Sequence, residues 1–259
     1  MKKIIIVIIT LLFCFSYSQK GLVEYGYIES LGIGDAKGLD YNAILLFDKD
    51  NSHFITCKTS LETPEKINGT KVIEKDGQVV AIMNGINVSE NGNQVYFSNS
   101  SKKMFSTFNY QGMVYINDGE TNIVWNTTNE TKKIGTFICN KATTSFRGRD
   151  YTAWFTLKIP VSFGPWKLNG LPGLILEAYD TDKNVYWYFK NLVYPSLKKE
   201  PIQTISEIEY KNYQDYSSFK LFQENTRKKI EDKNIILSKK YPSITAETPK
   251  MNEMFVECE

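Results

Sequence analysis

From Gly21 onward the chain is a succession of short segments in which apolar and polar residues alternate, each ended by Gly, Asn, Asp or Ser. A period of two sends successive side chains to opposite faces, so a chain of this kind has to build a sheet and bury one face of it. Gly21 to Ile28 reads as the first strand and Ala43 to Phe47 as the second. The polar run Asp48 to Ser52 turns the chain back into His53 to Thr59 as a hairpin partner. Residues 60–77 read as loop with at most a short strand. Gln78 to Met83, Gln94 to Ser98, Lys102 to Tyr110 and Met113 to Asn117 continue the series, with turn signals at Asn91-Gly92-Asn93 and Asn117-Asp118-Gly119. Ile123 to Thr127 and Lys132 to Cys139 extend it.

Ala142 to Phe146 and Tyr151 to Leu157 flank Arg147-Gly148-Arg149-Asp150, which reads as a tight hairpin with Gly148 at positive φ. Pro172-Gly173 fits the central pair of a type II turn, Pro setting φ near −65° and Gly supplying the positive φ. Leu174 to Tyr179 leaves that turn as a strand, and Val185 to Leu192 returns after the loop Asp180 to Asn184. The pattern then changes. Ile205 to Lys233 is polar, nearly free of Gly and Pro, and carries Ile208, Tyr216, Phe219, Phe222, Thr226 and Ile230 at helical intervals, with Ser206 as a candidate cap. Ile235 to Leu237 and Met254 to Glu257 read as short final strands. The expected architecture is mainly β (α+β): a curved, mostly antiparallel sheet or incomplete barrel, with one late amphipathic helix packed against its concave face.

The N-terminus reads as a signal peptide over residues 1–18. Lys2 and Lys3 precede the apolar run Ile4 to Phe15, and Ser16 and Ser18 stand three and one before a cut at Gln19. The run is too short to span a bilayer, which takes roughly 20 residues. Cys14 follows Phe13 rather than a small residue, so it reads as part of the discarded segment. Residues 19–259 are then a single β-rich domain. Removing 1–18 takes away two lysines and no acids, so the formal charge falls from +2 to about zero. A neutral chain lacks the basic footprint of a nucleic-acid binder, and no later segment is apolar enough to cross a membrane.

Cys57, Cys139 and Cys258 remain. An oxidising compartment permits one disulfide, for which Cys57 with Cys139 ranks first, although spacing alone leaves the connectivity open. No zinc spacing, phosphate loop or dinucleotide fingerprint is present, so no metal or cofactor is expected. His53 is the lone histidine and reads as structural or exposed rather than catalytic. No catalytic residue is assigned.

Three groups are candidates for binding or structure. Arg147 and Arg149 at the hairpin tip can grip a carboxylate or phosphate, or else fold back onto a strand carboxylate such as Glu177. Trp154, Trp166 and Trp187, with Tyr151, Phe155, Tyr186 and Phe189, can line a pocket for a sugar or an apolar chain; core packing explains them equally well. Gly148, Gly170, Pro172 and Gly173 read as structural turn residues.

Gly170 to Ile175 spells G-L-P-G-L-I, preceded by Cys139-Asn140-Lys141-Ala142-Thr143, Phe146-Arg147-Gly148-Arg149, Tyr151 to Thr156, Ile159-Pro160 and Gly164-Pro165. In these segments, over residues 136–180, the chain resembles the GLPGLI family of exported bacterial proteins. The resemblance implies export and a single domain with Cys139 to Ile175 at its heart; it implies no reaction. The expectation for function is a non-enzymatic envelope module. It binds an apolar small molecule in the concavity of the sheet, or an envelope protein partner at a sheet edge. The alternatives are an envelope hydrolase and a structural surface protein.

Overall fold

The computed structural model describes residues 20–59, 65, 70–75, 78–84, 91–109, 112–196, 213–241 and 247–259, with the backbone alone for 70–84. Fourteen strands and two helices follow one another along them. The strands are β1 (Gly21–Glu29), β2 (Leu39–Phe47), β3 (Asn51–Thr56), β4 (Thr70–Lys75), β5 (Gln78–Asn84), β6 (Gln94–Ser98) and β7 (Lys103–Asn109). They continue with β8 (Met113–Glu120), β9 (Asn126–Ile134), β10 (Phe137–Phe146), β11 (Arg149–Thr156), β12 (Leu174–Asp180), β13 (Val185–Val193) and β14 (Gln214–Asp215). The helices are α1 (Tyr216–Lys240) and the short α2 (Met251–Met254).

Twelve strands form one open sheet in the order β14-β8-β7-β6-β3-β2-β1-β13-β12-β11-β10-β9, and β4 with β5 form a separate hairpin. Every pair is antiparallel except β14 with β8. The alternation read from the sequence sorts the faces. Val23, Tyr25 and Tyr27 of β1 share the main core with Leu39, Tyr41, Ala43, Leu45 and Phe47 of β2, and with Phe54, Phe97, Tyr151, Phe155 and Trp187. Leu22, Ile44 and Leu46 form a small cluster on the opposite face.

The sheet curls until its two ends meet without a backbone ladder. Thr144 Oγ1 of β10 donates to the Val124 carbonyl beyond β8 at 2.7 Å, and Arg147 after β10 reaches Asp118 of β8. Helix α1 begins with Asp215 as its N-cap, whose Oδ1 accepts from the Ser218 N–H at 2.7 Å. Its buried stripe is Phe219, Gln223 and Thr226, one helical face of the N-terminal half. Leu221, Ile235 and Ile236 stay exposed. No helix among the described residues is long and apolar enough to cross a membrane.

Several local expectations are corrected. Ile235 to Leu237 is the continuation of α1, because nothing in that run breaks a helix. Met254 to Glu257 does not pair as a strand: α2 ends there, and Arg149 takes up the tail's carbonyls instead. Lys132 to Cys139 is split by a turn at Gly135, whose φ is +57°, into the end of β9 and the start of β10. Asn117-Asp118-Gly119 lies inside β8 as a bulge: Met104 pairs with Gly119 and Phe105 with Asn117, leaving Asp118 without a partner. Residues 205–212, including the Ser206 cap, and residues 1–18 lie outside the described residues.

The Pro172-Gly173 reading is also overturned. Gly173 is not among the residues at positive φ; Gly170 is, at +94°. Glycine is needed at 173 because a Cβ there would stand 2.2 Å from the Thr156 carbonyl oxygen. The Arg147-Gly148 hairpin stands as read, and both turn residues have positive φ, at +52° and +78°. That is the twist a two-residue hairpin loop requires.

Cys57, Cys139 and Cys258 are free thiols, so the expected Cys57–Cys139 disulfide is not formed. Cys57 follows β3 and Cys139 sits in β10, with β2, β1, β13, β12 and β11 between them in the sheet order. A disulfide requires Cα atoms within about 7 Å.

Candidate functional site

The register of three neighbouring strands places aromatic rings directly opposite one another. Tyr27 of β1 pairs with Tyr41 of β2 on one side and with Trp187 of β13 on the other. The rings stack across the strands: Tyr41 on Tyr27 at 5.9 Å between centroids, Tyr27 on Trp187 at 5.4 Å, and Trp187 on Trp166 at 5.7 Å. Each stacked pair adds about 0.5–1.5 kcal/mol beyond burial. Trp166 comes from the loop between β11 and β12, where it holds a positive φ of +53°.

This four-ring ladder is one wall of a cavity of about 290 Å³ inside the curled sheet. Phe219 and Gln223 of α1 and Phe255 and Glu257 of the C-terminal tail form another part of the lining. The volume has room for about ten waters, so the concave face is not packed solid.

One side of the cavity rests on a buried charge network. The bulge in β8 turns the Asp118 carboxylate inward, where Ser106 Oγ donates to it at 2.6 Å and Lys167 Nζ at 2.7 Å. Lys167 also donates to Glu257 at 2.5 Å. Arg147 Nη2 reaches Asp118 at 3.3 Å, Nη1 reaches Glu257 at 3.8 Å, and its guanidinium lies 3.3 Å from the centre of the Tyr216 ring. Burial raises the Glu257 carboxyl above its ordinary range, opposed by Lys167. Arg149 makes a second ion pair, to Asp180 at 2.6 Å, and donates to the carbonyls of Asn252, Phe255 and Val256. That guanidinium is one tie on the tail that walls the cavity, beside Lys167 and Gln223 on Glu257 and the Arg147 carbonyl, which accepts from the Cys258 N–H.

The other side carries a different set. Glu29, Tyr27, Tyr41 and Cys57 all line the cavity. Tyr27 donates its hydroxyl to Glu29 Oε2 at 2.5 Å. Burial pushes the Glu29 carboxyl up, against the lowering effects of that hydrogen bond and of the Arg149 charge. Burial also pushes the Cys57 thiol up to about 12 and raises the Tyr41 phenol. Three buried lining atoms have no hydrogen-bond partner among the described residues: Trp187 Nε1, Gln223 Oε1 and Glu257 Oε2, the last with Arg147 Nη1 at 3.8 Å. The Gln223 amide is oriented by its own Nε2, which donates to the Glu257 carbonyl at 2.8 Å.

The residues singled out from the sequence divide accordingly. Trp166 and Trp187 line the cavity; Trp154 does not, and packs under Lys132, whose ammonium lies 4.4 Å from its ring centre. Arg147 and Arg149 are buried structural ions rather than an exposed anion grip, and Glu177 pairs with Lys132 instead of either arginine. Tyr216 at the start of α1 covers the Arg147 guanidinium, and the C-terminal tail covers that of Arg149. His53 is buried away from the cavity, bonded to Gln94, and burial lowers its pKa to about 4. Asp180 and Asn184 form a closed turn, Asp180 accepting from Arg149, Asn184 and the Val185 N–H. No cluster of potential metal ligands occurs among the described residues.

Sequence reasoning missed Glu29, Lys167, Asp118, Ser106, Gln223 and Glu257. The signal for Asp118 was present as Asn117-Asp118-Gly119, read as a turn rather than a bulge. For Glu257 and Gln223 no sequence signal exists, since curling alone brings tail and helix to the network.

Residues 147–177 match a family described as a protein of unknown function (Porph_ging). That segment supplies Arg147, Arg149, Trp166 and Lys167. Among curated proteins none matches the chain. Among solved structures, two crystal forms of PNGF-II are similar, with TM-scores of 0.48 and 0.47 at 15% and 16% identity. They cover 78% and 76% of this chain and 32% and 31% of their own, so the chain spans about a third of their length.

Proposed function

We propose that this chain is an exported, non-enzymatic binding module of the GLPGLI type, which holds a small, largely apolar molecule in the cavity beneath the Tyr41–Trp166 ladder. The observation that carries the reading is the cavity itself: about 290 Å³, walled by aromatic rings, with Trp187 Nε1 and Gln223 Oε1 in its lining unpartnered among the described residues. A concave, mainly apolar pocket with a few converging polar groups is the usual form of a small-molecule site. Buried polar atoms without partners are costly, and a ligand that supplies the partners recovers that cost. Export rests on the character of residues 1–18.

The cavity favours binding over hydrolysis on one further point. Ser106 donates to Asp118, a carboxyl already engaged by Lys167 and Arg147, so the group beside that hydroxyl is not free to act as a base. The Cys57 thiol, pushed up to about 12, is a poor nucleophile near neutral pH. Edge pairing with a partner protein has less support, because the outer strand β9 presents exposed polar residues from Asn126 to Lys133 with only Lys132 half-buried.

Native mass spectrometry of the protein taken from its own envelope without detergent tests the reading. A reproducible extra mass of roughly a few hundred daltons, the scale of a pocket-sized ligand, is the expected result. A bare chain under every gentle condition counts against a resident small molecule.

A further inference from the structure

The charges around the cavity do not balance. Asp118, Glu257, Glu29 and Asp180 are four carboxyls, and Lys167, Arg147 and Arg149 are the three bases close to them among the described residues. Lys167 and Arg147 are engaged by Asp118 and Glu257, and Arg149 by Asp180. Glu29 has no Lys or Arg within salt-bridge distance among the described residues, and its one hydrogen bond there comes from Tyr27. It is a carboxyl set among rings, in a cavity wall, with an oxygen left over.

The rings around it have a definite presentation. Tyr27 and Trp187 are covered on both faces by their neighbours in the ladder, so they offer edges and polar atoms. Tyr41, at the end of the ladder, stacks on Tyr27 alone among the described residues. A carboxyl with no ion-pair partner beside an aromatic ring is the arrangement that recognises an organic cation: the acid supplies the counter-charge, and a ring face not covered by another ring adds cation–π attraction. Independently of charge, Gln223 Oε1 awaits a donor and Trp187 Nε1 awaits an acceptor in the same lining.

We infer that the ligand is a small organic amine. Its ammonium donates to the Glu29 carboxylate, and its apolar body lies along the Tyr41–Tyr27–Trp187 wall. A further polar group on it meets Gln223 or Trp187. This inference rests on the cavity-binding reading above.

Three probes of one shape separate the two levels of the argument: 2-phenylethylamine, 2-phenylethanol and phenylacetate, titrated calorimetrically into the protein at neutral pH. The expected order is amine, then alcohol, then carboxylate, with the amine about tenfold tighter than the alcohol, as a charge-assisted hydrogen bond provides. Amine and alcohol compete for one site. In Glu29→Gln the amine falls to the affinity of the alcohol, and the alcohol is unchanged. An alcohol that binds as tightly as the amine, or a carboxylate that binds best, overturns the amine inference and leaves the cavity reading standing. Silence from all three probes overturns both. The comparison on the unmodified protein decides the matter even if Glu29→Gln fails to fold.

Discussion

Tyr27 and Trp187 stand directly opposite each other on β1 and β13, their rings 5.4 Å apart at centroids and 11° from parallel. The pair joins the N-terminal half of the sheet to the segment around the charge network, and it lies at the centre of the cavity wall. Trp187 is 1% exposed and touches Tyr27, Trp166 and Tyr151. Trp187→Ala is therefore expected to cost about 3–5 kcal/mol in urea unfolding, the range for deleting a large buried aromatic. A loss under 1 kcal/mol, on the order of a conservative swap, would show that the ladder contributes little.

The bulge at Asp118 makes a separate prediction. Lys167 is 1% exposed and bonded to two carboxylates. Lys167→Met keeps the volume but leaves Asp118 and Glu257 facing Arg147 alone. A loss of about 3–5 kcal/mol is expected, because removing one partner strands buried charge. The double variant Lys167→Met with Glu257→Leu should recover part of that loss. A double variant no more stable than the single one refutes the pairing.

Glu29 sets a pH dependence whose sign can be worked out. Its folded-state pKa is raised by burial, against Tyr27 and Arg149, with Cys57 and Tyr41 as its acidic neighbours. The folded state then holds the proton longer than the unfolded state, so stability from this group is full below the ordinary carboxyl range and falls as pH rises through the raised value. Without ligand, Glu29→Gln is expected to melt at the same temperature as the parent at pH 4 and at a higher one at pH 8. Equal melting points at both pH values would contradict the buried carboxyl.

His53 has the opposite sign. Its pKa is lowered from 6.5 to about 4 by burial, against the Gln94 hydrogen bond. Stability from this group is present above pH 6.5 and is lost as pH falls through about 4. The full effect is about 3 kcal/mol, from about 1.4 kcal/mol per pKa unit. His53→Gln should flatten the stability profile between those pH values, as read from unfolding midpoints, and an unchanged slope would place the imidazole in water.

The two glycines of Gly170-Leu171-Pro172-Gly173 are expected to fail differently. Gly173→Ala drives a Cβ against the Thr156 carbonyl and should cost about 1–3 kcal/mol or more, as overpacking does. At Gly170 the nearest atom to a new Cβ is 3.7 Å away, so Gly170→Ala meets only the cost of positive φ, about 1–2 kcal/mol. An asparagine, which tolerates that conformation, should rescue position 170 and not 173. Rescue at both would restore the turn that the backbone contradicts.

The sheet was legible in the sequence because alternation is local: each strand records which of its residues face the core, and Gln94 to Ser98 begins and ends where read. The Arg147-Gly148 hairpin was legible for the same reason, since positive φ needs only its own residue. Helix α1 was legible as a helix, but its start at Tyr216 and its extension through Ile235 were not. Those limits depend on the Asp215 cap and on the uninterrupted run of helix through Lys240. Trp166 and Trp187 were found as aromatics, although nothing in their spacing distinguished them from Trp154, which faces away from the cavity. What the amino-acid order determined alone is most of the strands, one helix and a core face. The tertiary structure decided the site: curling carried Asp118, Lys167 and Glu257 into one network from positions far apart in the chain, and it left Glu29 in the wall with no ion-pair partner among the described residues. The physical reason is that strand pairing is set by neighbours one or two residues away, whereas a cavity exists only where surfaces distant in sequence fail to fill the space between them.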